Sequence, residues 1–304
     1  MTQSKADVTA GETASTRPNS GETSAEAEET VEVPARYARE IAARERVVER
    51  CPIDVYVAGI NDRYAWPHRL VSAREADRPG LAETCETLIV DSVINDPFYA
   101  ADDVLDAASK LDADGVVAKD WPPFADPAGE SGIHPANALN HFMSRYKRHG
   151  YDGDVIVPVW PPFDGQKLQS VREEWIDHYA LGGMRDLDGR EQVEHARRFR
   201  ELVGDDVHVH GLGMGTAPEL IAALRESAAD GAPLLDSFDI STPENAVRNN
   251  KLPDKSWSQQ RVPLPSGTDS TTVRAGYAES IARMLAYELS PDCDEQFGHR
   301  QQTF

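Results

Sequence analysis

The chain has 304 residues, 40% of them hydrophobic, with 52 acidic against 31 basic side chains and a formal net charge of −21. That is enough chain to bury a full core, as one large domain or two, and its acidity excludes a broad basic stripe of the kind that tracks nucleic-acid phosphates. Three scattered cysteines, Cys51, Cys85 and Cys293, form no CxxC pair, which argues against a zinc module and a disulfide framework.

Only 7 of the basic residues are Lys and 24 are Arg. Abundant Asp with scarce Lys matches a halophilic protein, whose self-repulsion is screened by concentrated salt. On that reading the acidity says little about partners and does not exclude nucleic acid. No apolar run approaches membrane-spanning length, and the N-terminus lacks a signal-peptide core. A cytoplasmic protein with no membrane partner is expected.

Residues 1–34 are rich in Thr, Ser, Glu and Ala and carry almost no large apolar side chains, so they are expected to form a disordered acidic tail. "ARYAREIAARERVVER" (35–50) has helical spacing and opens a domain over residues 35–304. Strand-like runs follow at "IDVYVAG" (53–59), "TLIVDS" (87–92), "DGVVAKD" (114–120), "DVIVPVW" (154–160), "YALGG" (179–183), "VHVHGLG" (207–213) and "LLDSFD" (234–239). Between most of them lie helical patterns: "AADDVLDAASKL", "NALNHFMSRYKRHG", "QSVREEWIDH", "EQVEHARRFRELV" and "PELIAALRESAADG". A long amphipathic helix, "TTVRAGYAESIARMLAYEL", closes the chain. Seven strand–helix units predict a parallel sheet covered by helices. At this length an α/β fold of the TIM-like (β/α)8 barrel type fits best. An open doubly wound sheet should carry GxGxxG after its first strand, and nothing like it follows "IDVYVAG".

A barrel gathers the C-terminal ends of its strands into one face. Asp91, Asp120 and Asp239 each end a strand-like run and would converge there. Taken singly, each is equally a helix N-cap or a loop turn. Asp236, three residues before Asp239, should point differently. Gly182 and Gly183 end another strand, where paired glycines let a flat ligand approach the backbone. His208 and His210 in "HVH" share a strand face and form a weaker, metal-binding candidate at the sixth strand. "WPPF" occurs twice, at Trp121 and Trp160, as rim packing or a pocket wall, and the two copies suggest similarity between half-barrels.

Read in order, these strand ends resemble the guanine transglycosylase superfamily, which acts on tRNA and, in shorter members, on DNA. "LIVDS" resembles that family's strand ending in Asp-Ser, and "DGVVAKD" its strand ending in the base-reading Asp. "HYALGGM" is close to its Tyr-Ala-(Ile/Leu)-Gly-Gly-(Leu/Met) segment. "VHGLGMGTAPELIAAL" is similar to its Met-Gly-Val-Gly-Thr-Pro-Glu run, and "LLDSFD" to its nucleophile strand. The resemblance covers roughly residues 53–250 in family order. It implies that Asp239 attacks the anomeric carbon and displaces guanine, through an oxocarbenium-like transition state. Asp91 would handle the proton of the incoming base, and Asp120 would accept from the base's Watson–Crick N–H groups. Gly182 and Gly183 would present backbone groups to the base, and Asp236 is left to structure.

Several departures shape what the resemblance implies. The family's Cys-x-Cys-x-x-Cys and His zinc site is absent, so the barrel lacks the zinc subdomain, and no metal or cofactor is expected. Val93-Ile94-Asn95 replaces Gly-Gly-Phe after Asp-Ser, leaving Phe98, Tyr99 or His210 as substitutes for the base-stacking aromatic. The family's base-reading Gln is not evident in "VIVPVWPP", and its Thr-Arg after the nucleophile becomes "ISTPENAVRNN". No appended RNA-binding domain is expected. These departures match the members that exchange guanine for a 7-deazaguanine in DNA, so the expected partners are DNA, with RNA as the alternative, and a 7-deazaguanine base. A homodimer or a complex with an accessory protein is left open. Two further readings stand beside this one: a catalytically silent or accessory transglycosylase-like subunit, and an unrelated hydrolase using His208 and His210 with a metal.

Overall fold

The structure describes residues 51–59, 65–78, 80–93, 96, 99–119, 138–163, 165–173, 176–249, 251–253, 257, 259–261 and 270–290. The expected tail, the helix over 35–50, Phe98, Asp120 and Trp121 lie outside them. In this computed structural model eight parallel strands, β1 to β8, close into a barrel. They are Asp54–Ala58, His68–Ser72, Thr87–Asp91, Gly115–Val117, Asp154–Val159, His178–Leu181, His208–Gly211 and Ser237–Ile240. Helices α1 (Ala101–Lys110), α2 (Ala138–His149), α3 (Gly165–Glu173), α4 (Gly189–Val203) and α5 (Pro218–Ala229) follow β3 to β7 in turn. After β8 come α6 (Thr242–Arg248), an antiparallel ribbon of β9 (Lys251–Pro253) and β10 (Gln259–Arg261), and α7 (Ser270–Leu289). The last helix packs against α6, α5 and β1. No helix among the described residues is long and apolar enough to cross a membrane.

The expected α/β barrel is therefore present, with one strand more than the apolar runs disclose. That strand is β2, "HRLVS". His68 faces the barrel interior, where Nδ1 bonds Thr87 Oγ1 at 2.6 Å, and Arg69 is fully buried on the outer side. Three polar side chains in five residues, His68, Arg69 and Ser72, hide a strand from a hydropathy reading. The "HVH" strand is consequently the seventh, not the sixth. The helix expected over 169–178 instead spans Gly165–Glu173, and His178 already belongs to β6.

Alternation along each strand splits the core in two. Tyr56, Leu70, Ile89, Val117, Ile156 and Ala180 meet inside the barrel. Val55, Val57, Val71, Leu88, Val90 and Phe238 belong to the larger cluster between sheet and helices. The helices supply the other side of that cluster; in α4, for example, Val193, Ala196 and Phe199 are buried. A reciprocal capping box starts α4: Asp188 Oδ1 accepts from Arg190 N and Glu191 N, and Glu191 Oε2 accepts from Asp188 N.

Two aspartates lead into strands at the N-terminal end of the barrel by the same geometry. Before β4, the Asp114 carboxylate accepts Leu88 N–H at 2.7 Å, its own N–H donates to Leu88 O, and its carbonyl accepts Asp154 N–H. Before β8, the Asp236 carboxylate accepts Val209 N–H at 2.7 Å, its N–H donates to Val209 O, and its carbonyl accepts Asp54 N–H. The two sites are four strands apart, so the half-barrel correspondence lies here. The two "WPPF" copies follow adjacent strands, β4 and β5, and do not relate the halves.

Asp236 alone adds an ion pair, with Arg200 Nη2 of α4 at 2.6 Å. The rest of that guanidinium donates to Leu234 O, Gly204 O and Val207 O. Asp236 is thus a structural carboxylate, placed on the helix side of the sheet. Its removal strands a mostly buried cation, which is strongly destabilising. Asp236→Ala is expected to lower unfolding free energy by about 2–4 kcal/mol, and Asp114→Ala by about 1–2 kcal/mol. Denaturant titration at constant high salt checks both.

Candidate active site

Asp91 ends β3, and Asp239 is the third residue of β8. Alternation turns both into the barrel interior at its C-terminal end, the face where barrel enzymes carry their chemistry. Asp239 lies about 10 Å along the strand from Asp236 and points to the opposite side of the sheet. The "LLDSFD" segment therefore carries one carboxylate for the scaffold and one for the mouth.

The two mouth carboxylates sense each other. Burial, and then the negative charge of Asp239, raise the Asp91 carboxyl from 3.8 to about 6; Ser92 N–H, Lys119 and His210 oppose the rise. Asp239 is 6% exposed. Its Oδ1 accepts the N–H of Gly213 at 2.7 Å and lies 3.5 Å from His210 Nε2. Gly213 takes a left-handed φ of 63°, available cheaply to glycine, and this turns its N–H towards β8.

Lys119 follows β4, two residues beyond the inward-facing Val117. Its ammonium donates to Ser92 O, Val93 O and Asp96 O, at 3.3, 2.7 and 2.7 Å. Burial pulls it down to about 8 against the favourable charges of Asp96 and Asp91. Lys119 thereby clamps the segment after Asp91, where Val93 holds a φ of 52° that is strained for a β-branched residue. Sequence reasoning missed Lys119. The signal was present, because a two-residue period from Val117 in "VVAKD" selects Lys119 for the inner face.

The flat group lying on Gly182 and Gly183 is the Trp160 indole. A Cβ at Gly182 would come within 3.2 Å of that ring, and one at Gly183, where φ is 80°, within 2.7 Å. Gly182 N–H donates to Val159 O at 3.0 Å, tying β6 to β5. Tyr99 is partly buried against the outer core, and its charged neighbours are Asp103, Arg74, Asp77 and Asp106. It stands on the helix side, apart from the Asp91–Asp239 pair. Asp120 falls outside the described residues.

His210 is fully buried. Its ring meets Tyr56 edge-on at 5.3 Å, and its Nδ1 is 2.8 Å from Ser237 Oγ. It offers no exposed ring face; it sits beneath Asp239. His208 Nε2 is 2.8 Å from the same Ser237 Oγ, so the "HVH" pair converges on a hydroxyl. Among the described residues no three His, Cys, Asp or Glu side chains form a metal-ligand group. Beside His208 on the neighbouring β6, His178 lies 4.3 Å away, ring to ring, and burial with two neighbouring imidazoles pushes it down to about 3.

The arrangement holds two carboxyl groups from strands three apart around one barrel, one secured by a backbone N–H and one poised near neutrality. That pairing suits nucleophilic attack by one and proton transfer by the other. No protein-family model matches the chain, and no curated protein is similar to it in sequence.

Asp91 is expected to oppose stability at neutral pH. Between about pH 4 and 6 the folded chain holds a proton that the unfolded chain has released, so stability falls as pH rises through that window. Asp91→Asn should raise stability by about 1–3 kcal/mol above pH 6, with the gain vanishing towards pH 4; thermal unfolding across pH measures it. Gly183→Ala should lose about 1–3 kcal/mol and shift Trp fluorescence as the indole of Trp160 is displaced.

Proposed function

We propose that the chain exchanges guanine in DNA for a 7-deazaguanine through a covalent glycosyl–Asp239 intermediate. The observation that carries this reading is the Asp91–Asp239 pair, brought from β3 and β8 to one mouth with Asp91 raised to about 6. Asp239 attacks C1′ as the bond to guanine N9 breaks, and the proton on Asp91 goes to the departing base. The incoming base then gives its proton to Asp91 while its ring nitrogen displaces Asp239. Protons and bonds balance over the two halves, and the sugar keeps its configuration. A carboxyl near 6 serves in both directions close to neutral pH.

Two local features support the same reading. The resembled family has glycine where Val93 stands, and Val93 retains the left-handed backbone that glycine favours. The paired glycines of "YALGG" carry the Trp160 indole, so a planar base would meet that ring rather than the glycine backbone. C1′ lies inside a stacked duplex, so the substrate is a single strand or an extruded nucleotide. The acidic surface requires salt that screens repulsion from phosphates.

The test supplies labelled guanine in DNA, or in tRNA, with a 7-deazaguanine base at high salt. Release of label from DNA, with a trapped protein–DNA adduct, is expected. Asp239→Asn should abolish both; Asp91→Asn should slow exchange while the first displacement stays detectable. Asp120→Asn should weaken base binding by about 1–3 kcal/mol, read as base affinity. Release from tRNA alone would move the substrate to RNA. A wild-type chain that forms no adduct with either, or an Asp239→Asn chain that exchanges normally, would leave the accessory-subunit reading in place.

A further inference from the structure

Beneath Asp239 runs a column of inward-facing polar side chains that the proposed chemistry leaves unused: His210, Ser237 and His208. Burial excludes water from its upper part, while His208 is half-buried. His210 and Ser237 are fully buried, and His210 Nε2 makes no hydrogen bond although it points to Asp239 Oδ1 at 3.5 Å. Because that nitrogen is inaccessible, a nucleotide cannot reach it. Among the described residues its one polar contact is the Asp239 carboxylate.

Proton counting assigns the direction of every bond in the column. A bare Nε2 lone pair would face a carboxylate oxygen, so Nε2 carries the proton. In a neutral imidazole Nδ1 is then an acceptor. It takes the Ser237 hydroxyl proton across 2.8 Å. Ser237 has only that one proton, so its oxygen accepts from His208 Nε2–H, also at 2.8 Å. The chain runs one way, from His208 through Ser237 and His210 to Asp239.

From this geometry we infer that His210 is a positioning residue: with Gly213 N–H it holds Oδ1 of Asp239 and leaves Oδ2 as the attacking oxygen. Among the described residues the two polar contacts of the carboxylate, with Gly213 N and His210 Nε2, converge on Oδ1. Oδ2 has no hydrogen-bond partner among the described residues. The distance of 3.5 Å is long for a formed bond, and such contacts tighten when substrate fills a site. Ser237 and His208 act at one remove, by fixing the His210 tautomer. The inference deepens the base-exchange reading and rests on it for the identity of the nucleophile.

The experiment has two arms. In the first, nitrogen NMR of the histidine-labelled full chain, with His210→Gln for assignment, reads the tautomer without any substrate. His210 is expected with Nε2 protonated and Nδ1 bare, and Ser237→Ala should mix the two tautomers. An Nδ1–H His210 overturns the inference whether or not the chain exchanges bases. In the second, the rate of adduct formation is measured. His210→Ala should slow it about 100-fold, the scale of a slightly misplaced reacting group, with KM little changed, since His210 cannot touch substrate. His210→Gln keeps a donor and should recover most of the loss, and Ser237→Ala should give an intermediate rate. Equal rates for wild type and His210→Ala, or no recovery with Gln in a chain of normal thermal stability, overturn the positioning role. A wild type that forms no adduct fails the base-exchange reading instead, and the NMR arm alone then decides the proton arrangement.

Discussion

Two carboxyl groups share the mouth of a closed barrel, and the surrounding structure is arranged around the difficulty of ionising both there. Like charges at short range in a partly dry site push one proton affinity up, and Asp91 bears that effect, at about 6. Asp239 is met by donors: the Gly213 N–H at 2.7 Å and the His210 imidazole behind it. The asymmetry is one of environment. In the proposed exchange it divides proton transfer from attack without any difference in side-chain chemistry.

That asymmetry depends on backbone that is itself held in unfavourable shapes. Val93 keeps a left-handed φ because Lys119 gathers the carbonyls of Ser92, Val93 and Asp96 around one ammonium. A buried Lys without those acceptors would release its proton, and the segment after Asp91 would relax. On the other side, the left-handed turn at Gly213 brings an N–H to β8. The mouth is thus shaped by two short loops, after β3 and after β7, each anchored to a neighbouring strand. A rigid scaffold with function on its connecting loops is the usual division of labour in such barrels.

Much of this was legible in the chain. Apolar runs ending on Asp located β3, β4 and β8, and the barrel followed from alternating strands and helices. Asp236 was set apart from Asp239 by strand parity, and the Arg200 pair explains why an acidic residue stands there. What escaped notice was polar and inward. His68 and Arg69 concealed β2, because hydropathy treats a buried polar residue with a partner as exposed. Lys119 was passed over for the Asp beside it, and Ser237 looked like an ordinary strand residue. The resemblance to guanine transglycosylases had no purchase on these positions, since it rests on motif residues and these side chains act through others.

The interior column gives the polarity of the barrel a physical reason. An apolar filling would be the simpler core, and the middle layer of Tyr56, Leu70, Ile89, Val117, Ile156 and Ala180 follows that rule. His178, His208, Ser237 and His210 break it on β6, β7 and β8, as His68 and Thr87 do on β2 and β3. Burial pushes His178 down to about 3 and lowers His208, so these imidazoles rest in the neutral form, where each nitrogen has one defined role as donor or acceptor. A neutral column avoids a buried charge, and it transmits orientation rather than protons. On the inference drawn for His210, the floor of the barrel constrains the orientation of the Asp239 carboxylate, linking two inward side chains of one strand, Ser237 and Asp239, in one structural unit.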